Sequence, residues 1–188
     1  MEKFLKKYYQ FDDYQVALLQ FIGKTFLSES SKLLIMGIIF RDRLDLYAVA
    51  ITVMIFLRTA TGGLHCKRYV SCLFISFSYV FLSINVLPLI LTNKISQLIL
   101  LFICMLCNYY VGPVTSAVHL PLKNGVVKRV KIQAFLFIFF FIVLTYIVPE
   151  NPYITVGFWV IILHTLQLVA ARIIKKGEPY EREIVKVE

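Results

Sequence analysis

The side chains best suited to covalent chemistry lie together in one short stretch, Arg58 to Cys72, which reads RTATGGLHCKRYVSC. It contains His65 and, seven positions later, Cys72. An imidazole within about 3 Å of a thiol can take its proton, and the resulting thiolate can attack a carbonyl carbon. The pair therefore suggests a cysteine nucleophile with a histidine base.

A single straight helix would not bring His65 and Cys72 together. Residues seven apart on an α-helix share a face but lie about 10 Å apart along the axis, so a dyad needs a break in the chain. Gly62 and Gly63 lie just before His65, and glycine permits the backbone conformations of a loop. We therefore expect a helix to end at the glycine pair.

The second half of the dyad is expected at the start of the next helix. Ser71 could cap a helix whose first residue is Cys72. The positive end of that helix, with Lys67 and Arg68 nearby, would favour the thiolate form. A histidine and a cysteine at this spacing are also compatible with simple packing roles, so the residues alone leave both interpretations open.

These residues resemble the motif of the accessory gene regulator B (AgrB) family, membrane-embedded cysteine endopeptidases of bacterial peptide quorum sensing. The match consists of Arg58, Gly62, Gly63, His65 and Cys72, with seven positions from Arg to His and seven from His to Cys. The resemblance implies that Cys72 attacks a precursor peptide on the C-terminal side of its future signal segment and that His65 is the base. A thiol or hydroxyl of the precursor then displaces the enzyme and closes a thiolactone or lactone ring.

The resemblance also implies partners and a location. The expected substrate is a precursor of the AgrD type with an acidic C-terminal tail, processed by a homodimer in the bacterial cell membrane without a metal or other cofactor. Arg58 ends an apolar run, where it could snorkel to lipid headgroups or bind a substrate carboxylate in a bidentate fork. The motif match favours carboxylate binding, with Gly62 and Gly63 as further substrate-binding positions.

The composition places the chain in a bilayer. Hydrophobic residues make up 59% of the sequence and charged residues only 16%, which is unlike a soluble domain. The net charge of +9 suits anionic lipids and acidic peptides. Nucleic-acid binding is disfavoured because the charges flank apolar runs. The four cysteines do not form the pattern of a secreted disulfide framework.

The pattern of apolar runs predicts an all-α, polytopic membrane bundle forming one peptidase domain over residues 1–188. An amphipathic helix from Tyr14 to Leu27, within an interfacial segment of residues 1–32, is expected to lie on the membrane or to pack outside the bundle. Two short runs, Leu33–Phe40 and Leu46–Leu57, are predicted as short or re-entrant helices. Four clear transmembrane spans are predicted at Leu73–Thr92, Ile95–Val111, Ile132–Val148 and Ile154–Ala171.

Basic residues set the expected orientation. The loop of residues 112–131 and the tail from Arg172 are rich in lysine and arginine, whereas the other two loops between the four spans are poor in them. The positive-inside tendency places the basic loop, the C-terminus and the catalytic segment of residues 58–72 on the cytoplasmic side, and the basic N-terminus with them. Lys128, Arg129 and Lys131 are expected to bind the acidic precursor.

Several alternatives remain for the other reactive side chains. Cys66 neighbours His65, and a zinc site from these two and Cys72 is conceivable but lacks a fourth ligand. Packing is favoured for the C-x-x-C of Cys104 and Cys107, and polar contacts between helices for His119 and His164. The rival functions are a non-enzymatic transport subunit and an accessory protein with a structural Cys/His cluster.

Overall fold

The structure is a computed structural model that describes residues 13–62, 69–90, 93–113, 124–148 and 151–177. Within these ranges the regular secondary structure is helical, which confirms the predicted all-α class. The described residues form six α-helices: α1 (Asp13–Ile39), α2 (Leu44–Thr61), α3 (Tyr69–Phe81), α4 (Lys94–Val111), α5 (Asn124–Ile147) and α6 (Pro152–Gly177).

The chain divides into two compact units, one running to Leu44 and the other starting at Asp45. The first unit contains α1 and a short 3-10 turn, Arg41–Arg43. The predicted interfacial helix and the first short apolar run form one continuous helix here, because no glycine or proline separates them. The ion pair between Lys32 Nζ and Glu29 Oε1, at 2.7 Å, joins residues on one face of this helix and supports its continuity.

Five helical stretches of the described chain are long and apolar enough to cross a membrane: Arg41–Thr61, Tyr69–Leu89, Lys94–Val111, Val127–Ile147 and Pro152–Ile174. The last four confirm the predicted spans. The first differs from the expected short helix, because the 3-10 turn leads directly into α2 and the helix continues through Arg58 to Thr61. If this stretch crosses the membrane once, Arg41 and the catalytic segment lie on opposite sides, which conflicts with the prediction that both are cytoplasmic. The second span continues beyond α3 through a π-helical turn, Leu82–Val86, and a 3-10 turn, Leu87–Leu89.

Contacts at the helix ends define two ends of the second unit. At one end, the hydroxyl of Tyr153 donates to Asp45 at 2.9 Å and Lys94 donates to the carbonyl of Val148 at 3.3 Å. The first contact joins the start of α6 to the start of α2. The second joins the start of α4 to the end of α5. Successive spans therefore alternate in direction, so the end of α2 and the start of α3 lie at the opposite end.

Helix α6 is the most buried of the five candidate spans, with 56% of its most apolar 18-residue stretch buried inside the protein. Phe158, Ile161, His164 and Leu168 are fully buried along it. A Cβ at Gly157 would lie 2.5 Å from Cζ of Phe141, so a larger residue here would have to displace the Phe141 ring where α5 approaches α6. Because α6 lies at the centre, its polar side chains can reach several neighbouring helices.

Candidate active site

The first half of the predicted site is the end of α2, where Gly62 terminates the helix. Gly62 has a φ of 79°, a left-handed conformation that is costly for residues with a Cβ. Its backbone N–H donates to the carbonyl oxygen of Arg58 at 2.9 Å, the single bond that defines an αL helix cap. The predicted helix end is therefore confirmed at Gly62, while Gly63 and His65 lie outside the described residues.

The second half of the site is the first turn of α3. The prediction that Ser71 caps a helix beginning at Cys72 is wrong, because α3 begins at Tyr69 and Ser71 is an exposed residue within it. Neither Tyr69 nor Val70 is a helix breaker such as glycine or proline, so the helix includes the two residues before Ser71. Cys72 still lies in the first turn, where backbone N–H groups lack helical acceptors and the helix dipole favours an anion.

Cys72 faces the interior of the second unit. Its side chain is only 6% exposed, and it shares the buried face of α3 with Ser76, Tyr79 and Val80. The spacing of these four residues matches one stripe along a helix. The thiol is therefore shielded from lipid and from bulk water.

Arg58 belongs to the same interior region. It lies in the last turn of α2 and is half-buried. Its charge acts electrostatically on both Tyr79 of α3 and His164 of α6. Arg58 therefore lies where three helices meet, and its proposed binding to a substrate carboxylate stays a prediction.

Three polar contacts attach neighbouring helices to residues 160–165 of α6. Thr61 Oγ1 of α2 and His164 Nε2 are 2.7 Å apart. The Tyr79 hydroxyl of α3 donates to the carbonyl of Val160. The third contact runs from Asn108 Nδ2 of α4 to Thr165 Oγ1, at 2.7 Å. The role predicted for His164, a polar contact between helices, is confirmed.

The sequence alone had not singled out the partners in these contacts, which are Thr61, Tyr79, Asn108 and Thr165. A signal was present, because polar groups inside apolar spans must find hydrogen-bond partners within the protein. That signal does not say which helix supplies the partner. The pairing needed the helix packing to be known.

The basic residues predicted to bind the precursor lie in a helix. Helix α5 begins at Asn124, so Lys128, Arg129 and Lys131 belong to its first turns instead of the end of a loop reaching residue 131. Valines at helical spacing among these charges let the helix start early. Lys128 and Arg129 are exposed. Lys131 is half-buried, with Nζ 5.7 Å from the centroid of the Tyr109 ring, a cation–π distance.

The basic start of α5 lies at the same end of the unit as the end of α2. A Cβ at Gly112, just after α4, would be 3.4 Å from Cγ2 of Thr61. Arg172 Nη1 of α6 lies 3.5 Å from the carbonyl oxygen of Val111. The structure thus gathers Arg58, Gly62 and the basic residues at one end, where α3 with Cys72 also begins.

The cysteines of the described residues form no disulfide bond with one another. Cys72, Cys104 and Cys107 are free thiols, and the last two lie within α4. In the described ranges no group of three His, Cys, Asp or Glu side chains is placed to hold a metal ion. His65 and Cys66, which the zinc alternative requires, lie outside those ranges.

An apolar groove of about 580 Å³ opens between α4 and α5 at the opposite end of the unit. Its lining is aliphatic and aromatic, and the hydroxyl of Tyr146 is its one polar side-chain group. It is formed by Leu98, Ile99, Phe102, Ile142, Val143, Tyr146 and Ile147.

Comparison with known protein families gives one result for this chain. The family model for Accessory gene regulator B (AgrB) matches residues 1–168, which is most of the chain. The chain therefore belongs to the AgrB family. No curated protein and no solved structure gives a match.

Membership in this family defines the class of the protein. It is a multi-pass membrane protein of accessory gene regulator quorum sensing. The family is in general one of peptidase-like processing proteins.

Proposed function

We propose that the chain is a cysteine endopeptidase that removes the acidic C-terminal tail of an AgrD-type precursor peptide. The observation that carries the proposal is the placement of Cys72. Its thiol is buried in the first turn of α3, and α2 ends just before it at the left-handed Gly62. The short connection between the two carries His65, the proposed base.

The first chemical step forms an acyl-enzyme. His65 takes the proton of the Cys72 thiol, and the thiolate attacks the carbonyl carbon of the scissile peptide bond. The C–N bond breaks, and His65 gives the proton to the leaving amine. The signal segment stays attached to Cys72 as a thioester.

The second step closes the ring. A thiol or hydroxyl inside the bound precursor segment attacks the thioester carbonyl, and the bond to Cys72 breaks. The proton of the attacking group passes through His65 to the Cys72 sulfur. The product is a thiolactone or a lactone, and the enzyme returns to its starting state.

The burial of Cys72 supports cyclisation over hydrolysis. A thioester at a site that is only 6% exposed meets little bulk water, so the internal nucleophile of the substrate has the advantage. An open surface cysteine would offer no such preference.

The orientation of the site follows from charge. The end of the unit that carries Gly62 also carries the basic start of α5 and Arg172. By the positive-inside tendency we place this end at the cytoplasm, beside anionic lipids, where a newly made precursor would lie on the inner leaflet. The exposed Lys128 and Arg129 are the best placed to hold the acidic tail, while Lys131 is held by Tyr109.

The experiment that tests the function is cleavage of the precursor by the purified protein in vesicles, compared with its Cys72→Ala variant. A transport or accessory subunit would form no covalent bond to the peptide. A peptidase of the proposed kind must form one at Cys72.

A further inference from the structure

We propose that His164 is a positioning residue, which acts through Thr61 to fix the end of α2 from which the connection with His65 departs. The inference rests on the proposed function. It starts from the buried contact between Thr61 Oγ1 and His164 Nε2, which are 2.7 Å apart. His164 is fully buried and far along the chain from the catalytic motif.

The hydrogen bonds of Thr61 determine which ring nitrogen of His164 carries the proton. The Thr61 hydroxyl donates to the carbonyl oxygen of Leu57 at 2.8 Å. A hydroxyl has a single proton, so toward His164 it can only accept. His164 Nε2–H is therefore the donor. The other nitrogen, Nδ1, is buried and has no hydrogen-bond partner among the described residues.

The location of Thr61 gives this bond its importance. Thr61 is the last residue of α2, directly before Gly62, and helix ends tend to fray. His65 follows Gly62 by three positions, so a shift of the helix end moves the proposed base relative to Cys72. A misplacement of about 1 Å can cost about 100-fold in rate. The bond to the central helix α6 holds that end in place.

The chain provides a matched control at the next position of α6. Thr165 is buried to a similar degree, 5% exposed against 1% for Thr61. Its hydroxyl also donates one helical turn back, to Ile161 at 2.8 Å, and accepts one side-chain bond, from Asn108. It ties α6 to α4 instead of α2, so it should not affect the position of His65.

The first test compares Thr61→Val with Thr165→Val in single-turnover acylation by saturating precursor. Thr61→Val should slow acylation by about 10–100-fold, while Thr165→Val and Thr61→Ser stay near the wild-type rate. In a His65→Gln background, Thr61→Val should cause little further loss, because both changes act on the same base. An equal fold-loss in both backgrounds, or no loss in the wild type, would overturn the proposal.

A second pair of variants tests the proposal if Thr61→Val does not accumulate in the membrane. The amide nitrogen of His164→Gln can occupy the place of Nε2 and donate to Thr61, whereas the shorter His164→Asn reaches only the place of Nδ1. Acylation should be largely kept by the Gln variant and lost by the Asn variant. Equal rates for the two would contradict the proposal. Failure of the proposed function would be seen in a different result, cleavage of the precursor by the Cys72→Ala variant.

Discussion

The backbone N–H of Gly62 donates to the carbonyl oxygen of Arg58 at 2.9 Å, and this bond closes α2 with Gly62 in a left-handed conformation at φ 79°. Two residues of the motif are thus joined by a helix cap. The cap ends α2 three positions before the candidate base, so His65 is not part of that helix. A straight helix through this region would keep His65 and Cys72 about 10 Å apart along its axis.

Replacing Gly62 with alanine should therefore destabilise the protein. A Cβ at positive φ costs about 1–2 kcal/mol, and relaxation of the cap would also displace the connection to Cys72. We expect a lower thermal unfolding midpoint in detergent and slower precursor cleavage. The control is Gly23→Ala in α1, where a Cβ meets nothing within 4 Å and alanine should stabilise the helix by about 0.5–1 kcal/mol. Equal midpoints for the two variants would contradict the role of the cap.

The charges at the start of α5 should matter for binding the precursor. Changing Lys128, Arg129 and Lys131 to glutamate should lower processing while leaving membrane insertion intact, with a larger loss at low ionic strength, where screening is weakest. Lys94→Glu is the control, because Lys94 lies at the other end of the unit beside Val148. Processing that is unchanged at every salt concentration would show that the three charges serve orientation alone.

The orientation can be measured with single cysteines in a cysteine-free variant. A cysteine at Lys128 should resist an impermeant thiol reagent in intact cells and react in inverted vesicles, because basic segments stay cytoplasmic. A cysteine at Asn93, which is exposed just before α4, should show the opposite pattern. Labelling of position 128 from outside the cell would show that the proposed orientation is wrong and that a cytoplasmic precursor could not reach Cys72.

The sequence was sufficient for much of the fold because its strongest signals are local. Long apolar runs determine membrane spans, and a glycine pair before His65 predicts a helix end. One error was the stretch Arg41–Thr61, expected as a short helix but long enough to span a membrane, and the others fell at boundaries. Residue Ser71 looked like a cap, yet the helix begins earlier at Tyr69, since a capping residue is only one of several ways to satisfy a first turn.

The contacts between helices could not be predicted from local sequence patterns. Thr61 and His164 are separated by 103 positions, and nothing in the spacing of either indicates the other. The same holds for the stacking of Phe56 on Phe137, with ring centroids 4.2 Å apart. Such pairs depend on which helix faces lie opposite each other, and that is decided by packing of the whole unit.

Catalysis by a Cys72 and His65 dyad makes distinct demands on each residue. Cys72→Ala must abolish cleavage, because no thioester forms without the sulfur. His65→Gln should lower cleavage by orders of magnitude, with partial recovery at high pH as the thiol ionises without a base. Cys66→Ala should cost little if that residue only packs. All three variants must be compared at equal levels in the membrane.

The most direct measurement is mass spectrometry of the wild-type protein after a brief incubation with the precursor. The proposed mechanism predicts a fragment of the precursor joined as a thioester to Cys72 and absent from the Cys72→Ala variant, which should leave the precursor intact. Robust cleavage by Cys72→Ala, or an adduct on Cys66 instead, would contradict it.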